Sequence, residues 1–372
     1  MTDELNAVRL TVDGLDYFGW KTVEITAGLE DQARSFNLSL TWQWPGQQER
    51  RPISEGAKCQ VSIGPDLVLT GWAFATPIGY DDKQITTSIS GRSLTADLVD
   101  CAAVNKPGQW NNQSVLAIVK ALAEPYKISV SSEIPEGGKL SDHTIEPGET
   151  VFASIDRLLT LFRVFSTDDA RGMAVLASPG SGGRCFDALE VGKNIKSADA
   201  PLDFSGVFSE YRVLGQKSGT DDAFGADASE VSATLTDDRV KRRRVQIIQE
   251  SGQMTNELAH ARANWERGSR MGKALATTYT VYGWRQSNGQ LWRHNTLVRV
   301  IDPIIGFDRD LLISRITYSL SDAGMLVKLE VAPPDSFEPE PKDPHKARKA
   351  KKGGKADNFE YLLPADYESK KT

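Results

Sequence analysis

Two stretches of strict alternation, one at each end of the chain, limit what it can fold into. In the first ninety residues apolar side chains fall on every second position: Val8, Leu10 and Val12; Val23 and Ile25; Phe36, Leu38, Leu40 and Trp42; Cys59, Val61 and Ile63; Leu67 and Leu69; Ile85, Thr87 and Ile89. Period two turns one face of a strand to a core and the other to solvent. Turn signals at Asp13-Gly14, Pro45-Gly46, Gly64-Pro65 and Asp81-Asp82 cut the stretch into about six short strands, the pattern of an antiparallel barrel or sandwich. Alternation returns from Ala274, in Thr278–Trp284, Leu297–Asp302, Leu311–Leu320 and Met325–Val331. Ser287-Asn288-Gly289 and Asp322-Ala323-Gly324 serve there as hairpin turns. The segment from Cys59 (CQVSIGPDLVLTGWAFATPIGYDDKQITTSIS) and the segment from Leu297 (LVRVIDPIIGFDRDLLISRITYSLSDAGMLVKLEV) share one plan of strand, tight loop, strand, hairpin and strand.

Between the two β regions the period changes to that of a helix. GRSLTADLVDCAA offers Ser93 as an N-cap ahead of Leu94, Leu98 and Cys101. Ser114 can cap a second helix carrying Val115, Ile118, Val119 and Leu122, with Pro125 ending it. Thr150 precedes a third, with Val151, Ile155, Leu158, Leu159 and Phe162 on one stripe. Strand-like pieces at Tyr126–Val130 and Met173–Ala177 complete an α+β module ending in SPGSGG. Further on, Ser205–Gly215 and a run around Val240–Ile248 read as strands, and Thr255 to Met271 reads as a helix with Leu258, Ala261, Trp265 and Met271 facing inward. The expected fold is mainly β with α+β inserts. A first β-barrel-like domain covers 1–90 and an α+β helical module 91–180. A second β-barrel-like domain combines 181–215 with 274–337, an insertion occupies 216–273, and a charged flexible tail covers 338–372.

Composition excludes several classes. The 372 residues include 40% hydrophobic and 25% charged side chains, enough for real cores in two to four domains. No apolar run approaches the ~18 residues of a membrane span, and MTDELNAVRL is acidic where a secretory leader is basic, so no stable membrane insertion is expected. Cys59, Cys101 and Cys185 are an odd number without a CxxC pair, which favours a reducing compartment over a disulfide framework. The net charge of −6 argues against a nucleic-acid coat. That charge is unevenly placed. Residues 338–372 carry nine basic and seven acidic groups, a net of +2, which leaves −8 on the body ahead of them.

No catalytic, cofactor or metal site is expected. His143, His260, His294 and His345 lie far apart, without a metal-ligand spacing. Gly268–Ala274 (GSRMGKA) is too short for a phosphate loop and lacks the Ser or Thr that holds magnesium. There is no GxSxG elbow, and Ser141-Asp142-His143 reads as polar residues beside a loop. Asp81-Asp82, Asp168-Asp169 and Asp221-Asp222 read as solvated turn acids. Candidate partner contacts are the basic run Arg242, Arg243 and Arg244, the turn-flanking Trp44 and Trp292, and Lys346, Arg348, Lys349, Lys351 and Lys352 of the tail. The run at 242–244 reads either as a surface for phosphate or acidic groups or as alternate charges on a solvated strand.

Several segments, in order, carry a family resemblance. LTVDGLDYFGWKTVEI, ARSFNLSLTW, SGRSLTADLVDCA, EPGETVFASIDRLLTLF, FSEYRVLGQ, ARANWERGSRMGKA and YTVYGWRQSNGQLWRHNTLVRVIDPIIGFDRDLLISRITYSL resemble the baseplate hub protein of Mu-like contractile phage tails. The resemblance runs from about Val8 to Phe337 and is weakest in 216–250 and in the tail. It implies a virion structural protein, assembled in the host cytoplasm, that forms a homotrimeric ring. The tail tube protein or tube initiator would lie above, the central spike protein below, and DNA would pass through the lumen without specific binding. Two other readings compete with this one: a tail-associated cell-wall hydrolase, and a nucleic-acid-binding module using the basic clusters.

Overall fold

The computed structural model describes residues 4–43, 53–54, 56–82, 84–135, 139–216 and 230–341. Trp44, Lys346, Arg348, Lys349, Lys351 and Lys352, the tail from 342 on, and Asp221-Asp222 lie outside the described residues. The chain forms two compact units, Met1–Val207 with Trp265–Glu340, and Phe208–Asn264 with Pro341–Thr372.

The larger unit begins with β1 (Val8–Val12), β2 (Leu15–Tyr17), β3 (Thr22–Gly28), β4 (Ser35–Gln43), β5 (Lys58–Ile63), β6 (Asp66–Ala75), β7 (Ile78–Tyr80) and β8 (Gln84–Ser93). The α+β module follows with α1 (Ala96–Asp100), β9 (Gln109–Ser114), α2 (Val115–Ala123), β10 (Val130–Ser132), β11 (Lys139–Thr144), α3 (Val151–Thr160), β12 (Phe165–Asp168) and β13 (Ala174–Ala177). Next come β14 (Leu189–Glu190) and β15 (Ile195–Asp199). The smaller unit holds β16 (Glu210–Gln216), β17 (Glu230–Thr236), β18 (Val245–Gln253) and the start of α4 (Asn256–Leu275). The chain then returns with β19 (Thr277–Tyr282), β20 (Leu297–Asp302), β21 (Phe307–Ser321) and β22 (Gly324–Ala332).

Both β regions predicted from the alternation are present, and they are joined edge to edge. The strand order β15-β19-β22-β21-β3-β4-β8-β6-β5-β1-β2 is one hydrogen-bonded path, and among the described residues no pairing closes it on itself. The joint is β21, a 15-residue strand. Leu312 lies between Leu297 of β20 and Ala332 of β22, so β20 and β22 flank opposite edges. Arg315–Leu320 pairs with β22 on one side and with β3 (Gly28–Val23) on the other. Thus β20 and β3 dock one after the other on the same edge of β21.

The shared plan of the two segments extends to their register. Five strands recur in the same chain order, spatial order and antiparallel sense, with β3, β4, β8, β6 and β5 matching β15, β19, β22, β21 and β20. Beyond them β1 pairs antiparallel with β5, whereas β14 pairs parallel with β20. The rungs Trp72–Arg92, Ala73–Gly91, Ala75–Ser90, Ile78–Thr87, Gly79–Thr86 and Tyr80–Ile85 have counterparts 240 positions later, from Leu312–Ala332 to Leu320–Met325. The bulge recurs too, between Ala73 and Ala75 and again between Ile313 and Arg315. β6 and β7 together therefore occupy the place of β21, with Thr76-Pro77 as the interruption.

In the helical module the predicted stripes form the core. Ile118, Val119 and Leu122 of α2 and Val151, Ile155, Leu158 and Leu159 of α3 are buried around Leu98 and Leu176. Ser114 and Thr150 cap α2 and α3, each accepting a hydrogen bond from the backbone N–H three residues on. Ser93 does not cap α1. It ends β8, and Thr95 stands at the cap position.

Two assignments differ from expectation. The Ser205–Gly215 strand does not join the second β region. β16 instead lies antiparallel to β17 and parallel to β18 in a separate sheet, because its Val213 buries against Val231, Ala233 and Met254 together with Ala259 and Ala263 of α4. The buried stripe of α4 runs through Ala259, Ala263 and Met271, while Leu258, Ala261 and Trp265 are half-buried. Small residues sit where the helix approaches its neighbours most closely. The glycines of GSRMGKA lie inside α4, where a Cβ on Gly272 would fall 1.8 Å from Ser336 Cβ.

Candidate functional site

The candidate partner contacts separate in the structure. Trp292 is 1% exposed, and its carbonyl accepts a hydrogen bond from the buried Tyr318 hydroxyl, so its side chain fills the interior and offers nothing to a partner. Hydrophobic burial of so large a ring outweighs its position beside a turn. Arg242, Arg243 and Arg244 lie in the loop before β18, not on a strand. Arg242 and Arg243 are exposed. Arg244 is partly structural, since its carbonyl accepts from the Ser209 and Glu210 N–H groups and its guanidinium covers the Phe208 ring at 4.7 Å.

The polar groups that sequence spacing did not bring together meet where the two β regions and the helical module join. A cleft of about 890 Å³ there is lined by Arg34, Thr167, Asp168, His294, Asn295 and Tyr318, among others. Asp168 ends β12, and its side chain is 1% exposed, so it is not a solvated turn acid. It is held by Arg34 from the β3–β4 connection. Arg34 Nε donates to its Oδ1 at 2.9 Å and the Arg34 backbone N–H to its Oδ2 at 3.1 Å. The remaining guanidinium nitrogens donate to the carbonyls of Asp168 (2.9 Å) and Val68 (3.1 Å). Burial pushes the Asp168 carboxyl above its ordinary range, against the opposing pull of Arg34 and Ser93. Gln32 Nε2 donates to the Thr167 carbonyl at 3.2 Å, and Thr167 Oγ1 donates to the Gly28 carbonyl at 3.3 Å. His294 stands beside Thr167, and burial with Arg34 and Arg293 nearby lowers its pKa to about 3.

This chemistry fastens modules together. A general base works best with a pKa near the operating pH and a free lone pair toward substrate. Here the carboxylate is saturated by arginine, and the imidazole takes no proton at neutral pH. His143 stands near the loop end of β11, as expected, but its side chain is buried. Its Nε2 lies 2.9 Å from Ser154 Oγ, and Ser154 is itself buried in α3. Among the described residues no cluster of three or more His, Cys, Asp or Glu side chains could hold a metal ion.

A second arginine spans the same joint. Arg285, beyond β19, donates to Asp66 Oδ2 (2.6 Å) and to the carbonyls of Ile63 (3.0 Å) and Leu5 (2.8 Å), so it holds the β5–β6 turn of the first β region. Arg315 of β21 reaches Asp31 at 3.0 Å. These partners lie 219 and 284 residues apart along the chain, and no local pattern announces them.

Comparison with known proteins agrees with this architecture. The fold matches the 43 kDa tail protein of prophage MuSo2 from Shewanella oneidensis, with a TM-score of 0.80 and 34% identity over 89% of this chain and 99% of that one. The tail protein from Neisseria meningitidis MC58 shares the fold, with a TM-score of 0.74 and 23% identity over 90% of this chain and 98% of that one. The class is thus that of phage tail proteins. Residues 7–93 match the N-terminal domain described as Mu phage baseplate assembly protein GpP-like. Residues 95–178 match the second domain of baseplate hub protein gp44-like, and 255–340 the fourth domain of Mu phage baseplate assembly protein GpP. The chain is 31% identical to baseplate hub protein gp44 of Escherichia phage Mu across 97% of this chain and 96% of that protein, and it belongs to the Mu-like baseplate hub family. The relatives are named as baseplate and tail proteins. Among the described residues no helix is long and apolar enough to cross a membrane.

Proposed function

We propose that three copies of the chain form a ring on the tail axis, between the tail tube or its initiator above and the central spike below. DNA passes through the lumen without specific binding, and the chain is not an enzyme. The observation that supports this reading is the doubled β region. One chain of a hub family carries the same five-strand antiparallel plan twice, in the same register. A sixfold tube cannot dock evenly on a plain threefold ring. Three chains with two equivalent β regions each offer six similar contacts above and keep threefold symmetry below. An acidic body suits a DNA passage, because like charge repels the phosphate backbone.

Light scattering and sedimentation of the full chain should give a trimer, and images along its axis should show threefold symmetry with a six-lobed upper rim. A strict monomer that also fails to bind tube or spike proteins overturns the reading. Clearing of peptidoglycan in a zymogram would overturn its non-enzymatic part.

A further inference from the structure

The joint between the two β regions contains the instructions for a second joint. On β21 the edge from Arg315 to Leu320 is covered by β3, through rungs that include Leu320–Val23, Ser319–Glu24 and Tyr318–Ile25. The repeated register places the same two edges once more in the molecule. Residues 75–80, from the end of β6 through β7, stand where Arg315–Leu320 stand. β15 stands where β3 stands. Leu38 pairs with Ile89, as Tyr279 pairs with Leu329, so Val23 opposite Leu38 corresponds to Ala198 opposite Tyr279. Glu24 corresponds in the same way to Asp199. Among the described residues β15 pairs with β19 alone and β7 with β8 alone.

Both edges are built to receive a strand. The Ser88 N–H donates to the Pro77 carbonyl at 3.2 Å, so Pro77 turns its backbone groups inward to β8. Alternation then turns those of Ile78 and Tyr80 outward. The N–H that proline lacks falls on the inner side, and the outer edge stays able to pair. Ile78 is 46% exposed and Tyr80 84%, whereas Tyr318, the counterpart of Ile78 under β3, is 6% exposed. Leu202 and Phe204, just beyond β15, are exposed as well.

We infer that β15 of one copy pairs antiparallel with residues 75–80 of a second copy, through the rungs Ala198–Tyr80 and Asp199–Gly79, repeating the β3–β21 junction between chains. The two edges differ, so the contact is head-to-tail, and such contacts close into a ring when the rotation allows. The inference rests on the self-assembly proposed above and specifies its interface.

Cysteines at facing rungs bring their Cα atoms to about 5.5 Å, within reach of a disulfide. The test uses the full chain carrying Ala198→Cys, Tyr80→Cys or both, under mild oxidation, with the native chain as the cysteine background. The double variant should give covalent oligomers beyond the dimer. An equal mixture of the two single variants should give dimers only, and each single variant alone should stay at background. If light scattering shows an oligomer but these links do not form, or if a single variant links as well as the pair, the interface is wrong while the ring survives. A chain that stays monomeric and unlinked at high concentration overturns both. Independently, Ile78→Asp with Tyr80→Asp should keep the native circular dichroism spectrum and weaken self-association at least tenfold. Unchanged self-association overturns the inference.

Discussion

Over five strands the two β regions share an order and a register. Their outermost strands differ in sense, β1 antiparallel to β5 and β14 parallel to β20, and they differ in three further places. In the first, a short connection carrying Arg34 links β3 to β4. In the second, residues 200–276 stand at the equivalent point and include β16 to β18 and α4. In the first, Thr76-Pro77 interrupts the strand that runs unbroken as β21 in the second. In the first, Phe36 faces Gly91 across β4 and β8, where the second has Thr277 facing Val331. A Cβ on Gly91 would fall 2.1 Å from the Trp72 carbonyl oxygen and 2.6 Å from the Phe36 ring, so the glycine admits both the close backbone and the ring. Large-with-none and medium-with-medium fill the same space. The comparison teaches that backbone pairing is what repeats, and that side-chain volume is traded across a rung to preserve it.

The largest effect should come from the clamp that fixes the first region's short connection. Asp168→Ala leaves the Arg34 guanidinium buried without its carboxylate and should cost about 3–5 kcal/mol in urea unfolding. Asp168→Leu combined with Arg34→Met should recover most of that loss. Next, Gly91→Val installs the second region's residue in the first and should cost about 1–3 kcal/mol by overpacking. Adding Phe36→Thr should return only the share due to the ring, because the Trp72 carbonyl oxygen still stands 2.1 Å from the new Cβ. Full recovery would show that the backbone there yields as it does around Val331.

A third expectation concerns pH. The folded His294 titrates at about 3, below its ordinary 6.5, so the unfolded chain takes up the proton first. Stability should therefore fall as pH is lowered from about 6.5 toward 3, by up to ~1.4 kcal/mol per pH unit. The raised carboxyl of Asp168 works in the opposite sense, its contribution falling as pH rises above the ordinary 3.8. The comparison that isolates the imidazole is native chain against His294→Gln, and the variant should show the flatter profile. The smallest effect belongs to the other compact unit. Arg244→Ala loses its contact with Phe208 and should cost about 0.5–1 kcal/mol, against less than about 0.5 for Arg242→Ser.

What the sequence made legible was periodic and local. Alternation located the long strands of both β regions but not the short β2, β7, β14 and β15, and a 3.6-residue stripe behind Ser114 and Thr150 located α2 and α3 with their caps. Partnership between distant segments was not legible. Asp168 beside Asp169 looks like a turn acid until Arg34, 134 residues earlier, is known to lie against it. The same holds for β16, whose alternation fits either sheet and is decided only by the alanines and methionine waiting for it in the smaller unit. Trp292 adjoins a turn signal, but volume decided its place.

The shared strand β21 also sets how the molecule answers a load. A pull along the strand direction strains the rungs from Arg315–Gly28 to Leu320–Val23 together, since all of them shear at once. A pull across the sheet opens them one after another from an end. The β3–β21 joint is therefore stiff in one direction and peelable in the other. In the ring proposed above, thrust is borne best when it runs along that seam.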